Sequence, residues 1–336
     1  MKKKHYSIPV FVPEMACPHQ CVYCNQHLIS GAKAIPDEKT VISIIDTYLS
    51  TINYHENEVE VGFFGGSFTG IPIDEQIKYL QLVQPYIDSG KIESIRISTR
   101  PDYITEENLS ILKEYRVKTI ELGAQSLDNE VLKKANRGHV VADVEKAASL
   151  IKSFCFDLGL QMMIGLPDDN LGKSIATANK IINLKADNTR IYPCLVIKDT
   201  NLEKQYKSGK YKALEMNECI NYLKNIIPLF ENAEVKIIRV GLHPSKDLDE
   251  GAYIAGPYHP SMRQIAETEI WFDLLKNLEN KSDKNKEIII YVSENQRNNA
   301  IGYHAKNKKF LEQFFKKVSF VIDENLNKKD YYVDIH

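Results

Sequence analysis

Short apolar runs alternate with amphipathic segments along the chain up to about residue 196. The runs have the length and composition of buried strands, and the segments between them repeat apolar residues at helical spacing. The predicted strands lie at 8–12, 59–64, 94–98, 119–123, 158–164 and 189–196. Strands that alternate with helices form parallel βα units with right-handed crossovers, which build barrels or open sheets. The pattern therefore predicts an α/β fold, and a partial (β/α)6 TIM-like barrel fits it best.

The pattern changes after Lys198. One more strand, a loop rich in glycine, proline, tyrosine and histidine, and a helix follow at 235–240, 251–260 and 265–278. A polar stretch then leads into a tail that reads strand, helix, strand and strand, at 287–292, 307–315, 317–322 and 331–335. We therefore predict a barrel core over residues 1–240, a capping loop and helix over 241–286, and a small C-terminal α+β appendage over 287–336.

The charge balance gives no overall basic excess of the kind typical of nucleic-acid-binding proteins. Lys and Arg number 43 against 45 Asp and Glu, for a net charge of −2. The tail alone is basic, and its lysines could steer an RNA backbone if they share one face. They are Lys306, Lys308, Lys309, Lys316, Lys317, Lys328 and Lys329. No signal peptide follows Met1 and no apolar run is long enough to span a membrane, so we predict a cytoplasmic protein without a membrane partner.

Three of the six cysteines, Cys17, Cys21 and Cys24, stand at the spacing C-x3-C-x2-C. Thiolates are soft ligands that suit Fe–S clusters and zinc, and both kinds of site usually take four ligands. Three cysteines so close together indicate a cluster with one iron left open for a small molecule. A zinc site with His19 or His27 as its fourth ligand is the alternative. The other three cysteines are predicted to be buried free thiols, namely Cys155, Cys194 and Cys219.

The cysteine motif, with Tyr23 before its last cysteine, resembles the signature of the radical S-adenosylmethionine (SAM) enzymes. The resemblance implies a [4Fe–4S] cluster held by Cys17, Cys21 and Cys24, with SAM chelated by the fourth iron. It further implies an enzyme in which one electron from the cluster cleaves SAM to methionine and a 5′-deoxyadenosyl radical. An external electron donor, such as flavodoxin or ferredoxin, would then be a partner.

A second motif, Gly65-Gly66-Ser67, follows the second predicted strand. Glycines let the backbone approach a ligand closely because no Cβ stands in the way. In radical SAM enzymes a Gly-Gly motif at this place contacts the SAM amino group, so the resemblance assigns these three residues to SAM. Ser98, the last residue of the third predicted strand, falls where a polar residue reaches SAM in related proteins.

Gln125 ends the fourth strand, and Arg137 follows it within the next segment. Arginine presents a planar fork that suits a carboxylate. The oxygen-independent coproporphyrinogen oxidases carry a similar pair, which implies that Gln125 contacts the SAM ribose and Arg137 its carboxylate. All these motifs follow strands, and the loops after parallel strands meet at one face of a barrel. The sequence therefore predicts a single site.

Four further blocks resemble the catalytic subunit of Elongator, which modifies the wobble uridine of tRNA. They lie at 98–103, 121–126, 136–139 and 191–197, within a likeness over about residues 8–240. Two departures are the ordinary cysteine spacing and a length too short for an acetyltransferase domain. The resemblance implies radical chemistry on RNA, with tRNA as the candidate partner. A radical SAM enzyme for a small molecule such as a tetrapyrrole, and a non-catalytic zinc-binding adaptor, are the alternatives.

Overall fold

The computed structural model describes residues 3–12, 21–25, 28, 34–242 and 248–336, without the side chains of 248 and 249. Two compact units divide this part of the chain. One comprises Met1–Glu215 with Pro228–Pro257, and the other comprises Met216–Ile227 with Tyr258–His336. The segment boundaries placed after residues 240 and 286 stay predictions.

Seven parallel strands form one sheet in the described part of the first unit, and they are hydrogen-bonded in chain order. They are β1 (His5–Val12), β2 (Glu58–Gly65), β3 (Ser94–Thr99), β4 (Val117–Gln125), β5 (Asp157–Ile164), β6 (Asn188–Pro193) and, after the short strand β7 (Val196–Ile197), β8 (Lys236–Val240). The sheet curls into a half barrel. The predicted α/β partial barrel is confirmed, and the strand predicted at 235–240 is its last member.

Helices connect these strands, and capping side chains fix where several of them begin. The helices are α1 (Glu38–Leu49), α2 (Ile73–Asp88), α3 (Glu106–Glu114), α4 (Asn129–Lys134), α5 (Val141–Ser153), α6 (Leu171–Asn183), α7 (Asn201–Lys207) and α8 (Met216–Asn232). A side-chain oxygen accepts a backbone N–H of the first turn at the starts of α1, α3, α4, α6 and α7. Such caps satisfy donors that the helix itself leaves unpaired. Of the described helices, none is long and apolar enough to cross a membrane.

The two faces of the half-barrel sheet differ in chemistry. Ile95 and Ile97 of β3 are fully buried, whereas Arg96 between them points to the opposite face. The same alternation places Glu121 of β4 between buried Ile120 and Leu122. Because successive side chains of a strand alternate in direction, one face is aliphatic and packs under the helices. The other face lines the inside of the half barrel and carries charged side chains.

The sixth strand is shorter than the sequence predicts. Strand β6 ends at Pro193, because proline has no N–H with which to continue a ladder. The chain then leaves the sheet, and β7 pairs antiparallel with β9 (Tyr253–Ala255). The predicted strand over 189–196 is therefore wrong in its last residues.

The tail of the second unit has the three predicted strands in the predicted order, but two short helices lie where one was predicted, and the helix predicted over 307–315 ends at Leu311. Its elements are α9 (Met262–Leu275), β10 (Asp283–Val292), α10 (Arg297–Ile301), α11 (Lys306–Leu311), β11 (Phe315–Ile322) and β12 (Tyr331–Ile335). Strand β10 lies between β11, which is parallel to it, and β12, which is antiparallel. Trp271 of α9 is fully buried in the core of this unit, and its indole N–H donates to Gln296 at 3.0 Å.

Candidate functional site

The second half of the cysteine loop is held from two sides. Val22 N donates to the carbonyl of Ala135, just after α4, at 3.1 Å. On the other side, Leu202 N at the start of α7 donates to Val22 O at 2.7 Å. These backbone bonds fix Cys21, which is buried, and Cys24, which is partly exposed. Cys17 lies outside the described residues, and so do His19 and His27, the alternative zinc ligands.

The Gly-Gly motif lies beside the end of β1, from which the cysteine loop continues. Gly66 N donates to Val12 O at 2.9 Å. Gly65 has a φ of +108°, and a Cβ there would come within 2.9 Å of Val12 O. Only glycine fits this backbone at that distance. The motif therefore sets the close approach between the ends of β1 and β2, at the mouth of the half barrel.

The hydroxyl of Ser67 joins the Gly-Gly loop to the end of β3. Its Oγ accepts the backbone N–H of Arg100 at 3.0 Å and shares a 2.9 Å hydrogen bond with Thr99 Oγ1. Ser67 is buried, so its hydroxyl serves the protein's own structure. The assignment of Ser67 to SAM stays a prediction. Because the hydroxyl is already engaged within the protein, the backbone atoms of Ser67 are better suited to contact SAM.

Arg137 joins the cysteine loop to the end of β4. Its Nη1 donates to Cys21 Sγ at 3.2 Å, and its Nη2 donates to Gly123 O at 2.6 Å. Gly123 leaves room for this arrangement, because a Cβ there would lie 2.9 Å from Gln125 Nε2 and 3.3 Å from Arg137 Nη2. The structure thus brings Cys21, Gln125 and Arg137 together, although the link to Cys21 spans 116 residues.

Several buried polar atoms at this mouth have no hydrogen-bond partner among the described residues. Among them are Gln125 Oε1, the hydroxyl of Tyr23 and Arg100 Nη1. Gln125 also has a φ of +64°, a strained value for a residue with a side chain. Buried polar atoms without partners are rare and costly, and they mark places where a ligand or an ion completes the site. The residues present therefore fit a polar small molecule such as SAM beside a thiolate-bound cluster.

Ser98 lies deeper in the half barrel than these groups. Its Oγ accepts from Gln161 Nε2 at 3.4 Å, and the same Gln161 nitrogen donates to Glu121 at 2.8 Å. Ser98 is thus tied to the charged side chains on the inner face. Its assignment to SAM stays a prediction.

Arg100 is a functional candidate that the sequence analysis did not single out. It is 3% exposed, and its Nε and Nη2 form two 2.9 Å bonds with the carboxylate of Asp102. Its Nη2 also donates to the carbonyl of Arg137 at 2.7 Å. Together with the bond from its backbone N–H to Ser67, these contacts connect the Gly-Gly loop to the segment of Arg137. Two signals in the sequence could have found it, namely its position directly after an apolar strand and its place in the Elongator-like block at 98–103.

His139 is buried beside these two arginines. Burial, followed by the charges of Arg137 and Arg100, lowers the pKa of His139 to about 3, although Asp102 acts in the opposite direction. A hydrogen bond with the backbone of Ala124 also acts to raise the pKa, but burial and the two arginines outweigh it. His139 is therefore neutral in the folded protein over the whole physiological range.

Acidification from pH 7.5 to pH 5 should destabilise the wild type by about 2 kcal/mol more than His139→Met. An unfolded histidine takes up a proton near pH 6.5, whereas folded His139 stays neutral down to about pH 3, so stability falls as the pH drops through 6.5. Buried Glu60 and Glu121 do not contribute in this window because their pKa values are lowered. Urea unfolding at both pH values measures the difference. An equal pH dependence for the two proteins would contradict the prediction.

The remaining cysteines differ from one another. Burial raises the pKa of Cys194 and of Cys219 to about 12, so both are inert thiols, as predicted. Cys155 is exposed, so its predicted burial is wrong. It occupies the turn after α5 with a φ of +61°, where the chain reverses at the surface. The apolar neighbours in the sequence gave no sign of this turn.

A network of charged side chains lines the inner face of the half barrel below the mouth. Arg96 donates to Glu60 from Nε and to Glu121 from Nη1, both at 2.6 Å. Arg190 Nε donates to both oxygens of Glu121, at 2.9 and 3.1 Å. Burial acts to raise the pKa of Glu121, but Arg190 and Arg96 outweigh it and hold the pKa below its usual value. Glu121 is therefore a buried carboxylate shared by two arginines.

Two models of known protein families match this chain. The model of the Radical SAM superfamily matches residues 14–181, half of the chain, and that of the Radical_SAM C-terminal domain matches 186–271. In the part of the chain that the structure describes, no group of three or more His, Cys, Asp or Glu could hold a metal ion. The range matched by the superfamily model contains all three cysteines of the motif, Cys17, Cys21 and Cys24. Of these three, the structure describes Cys21 and Cys24.

The chain is also similar to part of two curated proteins. A tRNA uridine(34) acetyltransferase of Methanocaldococcus jannaschii is 28% identical over 263 residues, which are 66% of this chain and 49% of that protein. Elongator complex protein 3 of Saccharomyces cerevisiae is 32% identical over 202 residues, 59% of this chain and 34% of that protein. The chain thus spans about half of the first relative and a third of the second.

One solved structure agrees over most of the chain. It is the archaeal Elp3 of Methanocaldococcus infernus with an N-terminal deletion, at a TM-score of 0.65 and 20% identity. The agreement covers 84% of this chain and 64% of that one. At 20% identity the match is evidence for the fold alone, and that fold agrees with the half barrel described above.

Proposed function

The chain belongs to the radical SAM superfamily, and from that premise we propose that it cleaves SAM reductively at the mouth of its half barrel. Cys17, Cys21 and Cys24 would hold a [4Fe–4S] cluster, which supplies the electron for the cleavage when bound. The observation that carries this proposal is the convergence of Cys21, Arg137, Gly123 and Gln125 at one mouth, with a buried oxygen of Gln125 left unpaired among the described residues.

The chain's own residues would bind and orient SAM. Arg137 offers a guanidinium already anchored to Gly123 O, and it suits the carboxylate of SAM. Gln125 offers an unpaired amide oxygen to a ribose hydroxyl. The Gly65-Gly66 backbone approaches without side chains, which suits the amino group.

For the substrate we propose RNA, and tRNA in particular. Support comes from the tRNA-directed relatives, which match this chain over part of their length. The basic tail gives little support, because several of its lysines are engaged by carboxylates. These pairs are Lys306 with Glu269, Lys308 with Glu312, Lys317 with Glu287 and Lys329 with Glu267.

The radical activity is tested by anaerobic reconstitution with iron and sulfide, followed by dithionite reduction in the presence of SAM and an assay for 5′-deoxyadenosine. We expect the wild type to form 5′-deoxyadenosine. In Cys21→Ala the rate of its formation should fall at least about 100-fold because a cluster ligand is missing. Cys155→Ala is the matched control, since this thiol is exposed and outside the motif. A protein that binds zinc without iron or sulfide would favour the non-catalytic adaptor instead.

The choice of substrate is tested by electrophoretic retardation with an unmodified tRNA transcript. Binding to phosphates should weaken steeply between about 50 and 200 mM salt. Stimulation of 5′-deoxyadenosine formation by the transcript would support tRNA as the substrate. Cleavage of SAM by a protein that does not retain tRNA at low salt would favour the small-molecule alternative.

A further inference from the structure

The inner face of the half barrel carries an arginine, Arg190, whose hydrogen-bonding capacity the described residues do not use up. Arg190 of β6 donates to Glu121 from Nε alone, which leaves the four N–H groups of Nη1 and Nη2. Burial acts to lower the pKa of Arg190, but its neighbours Glu121 and Tyr192 outweigh this effect and raise the pKa. One phenol oxygen can accept two N–H groups at most, so at least two remain for another acceptor.

The guanidinium is fixed and partly open. Its Cζ lies 5.3 Å from the centre of the Phe64 ring on β2, on the other side of the half barrel. The ring holds the plane of the guanidinium by a cation–π contact, and Glu121 fixes its edge. The side chain is 13% exposed, against 1% for Glu121, so part of Arg190 stays accessible. Such preorganisation is typical of a binding group.

Its position relates it to the proposed SAM site. Phe64 directly precedes Gly65-Gly66, and Arg190 lies against Phe64 on the inner face. A barrel interior that only needs filling takes aliphatic side chains, whereas burying an arginine there carries a desolvation cost. Arg96 is shared between Glu121 and Glu60, so Arg190 balances the second of these two carboxylates, and it does so through Nε while its Nη1 and Nη2 N–H groups are left over.

We propose that Arg190 is a substrate-binding residue, which receives a carbonyl or carboxylate oxygen of the substrate inside the half barrel, below the SAM site. The proposal rests on the proposed function, because the radical formed at the mouth needs its target held within this space. A carbonyl would come from a pyrimidine base of RNA, and a carboxylate from a small molecule. Both offer the oxygen acceptor that a guanidinium fork recognises.

The test uses small deuterated probes with the reconstituted enzyme, SAM and dithionite. The probes are methyl-deuterated thymine for the pyrimidine carbonyl, deuterated propionate for the carboxylate, and deuterated propan-1-ol as a comparator without either group. The radical takes a deuterium atom from a C–D bond of the probe and becomes deuterated 5′-deoxyadenosine. Dithionite then reduces the carbon radical left on the probe, which takes a proton from water.

In the wild type we expect deuterium transfer from thymine or propionate to exceed that from propanol about fivefold or more, as one charge-assisted hydrogen bond would give. Transfer from thymine identifies a base, and transfer from propionate identifies a carboxylate. In Arg190→Met the excess should disappear while total 5′-deoxyadenosine stays within about twofold. Arg190→Lys should retain part of it, and Arg116→Met, which alters an exposed arginine paired with Asp88, should behave as wild type.

A second readout needs no turnover and no variant. Phenylglyoxal should modify Arg190 in the wild-type protein, and peptide mass spectrometry measures the rate of this modification. We expect the preferred oxygen-bearing probe to slow the modification of Arg190 about threefold or more, and propanol to leave the rate unchanged. Arg96, with its two ion pairs, is the internal reference. Equal deuterium transfer from all probes, or an excess that persists in Arg190→Met, would overturn the proposal and leave the radical activity intact. Absence of any 5′-deoxyadenosine would overturn the proposed function, and this inference with it.

Discussion

Glu121→Gln should lower the free energy of unfolding by about 3–5 kcal/mol, the cost of breaking a buried ion pair from one side. The carboxylate of Glu121 is 1% exposed and accepts from Arg96, Arg190 and Gln161. An amide offers one oxygen and turns an N–H toward a donor, so two arginine charges lose their common partner. Urea unfolding of the purified protein at neutral pH measures the loss.

Glu93→Gln is the matched control. Glu93 pairs with Lys118 at 3.1 Å, but both side chains are about half exposed, so we expect a change of at most about 1 kcal/mol. The double variant Glu121→Gln with Arg190→Met should recover part of the lost stability, because one of the stranded charges is gone. A Glu121→Gln protein within about 1 kcal/mol of wild type would show that the network adds little to stability.

Arg100→Met should weaken SAM binding by about 10- to 100-fold, the range that corresponds to a lost charge-assisted hydrogen bond. Arg100 holds the carbonyl of Arg137 at 2.7 Å, so without it the segment that presents the Arg137 guanidinium loses its anchor. The iron content after reconstitution should stay the same, because Arg100 forms no bond to the cysteines that the structure describes. Equilibrium dialysis of SAM against the reconstituted protein measures the affinity.

Arg297→Met is the control for this experiment, since Arg297 also donates to a backbone carbonyl, that of Phe320, at 3.1 Å. It lies in the second unit and should leave SAM affinity unchanged. Arg100→Lys should bind SAM more tightly than Arg100→Met if hydrogen bonding to Arg137 is what matters. A loss of iron in parallel with SAM would instead mean that Arg100 supports the cluster loop as a whole.

Most of the fold could be predicted because hydrophobic periodicity is a property of neighbouring residues. Strand lengths were less certain where one residue changes the backbone, as at Pro193, which ends β6 early. The exposed position of Cys155 was missed for a similar reason, since a left-handed turn follows α5 there. Burial of a single side chain depends on how the chain reverses, and apolar neighbours do not determine it.

The sequence by itself determined the superfamily to which this chain belongs, because the cysteine spacing and the Gly-Gly motif combine suitable ligand types within short stretches. It also determined that these stretches follow strands and so share one face. Only the tertiary structure decided which distant side chains meet. Arg137 reaches Cys21, Arg100 holds Arg137, and Arg190 reaches Glu121 across 69 residues. Such contacts depend on strand register and sheet curvature, which arise from packing of the whole unit and leave no periodic trace in the sequence.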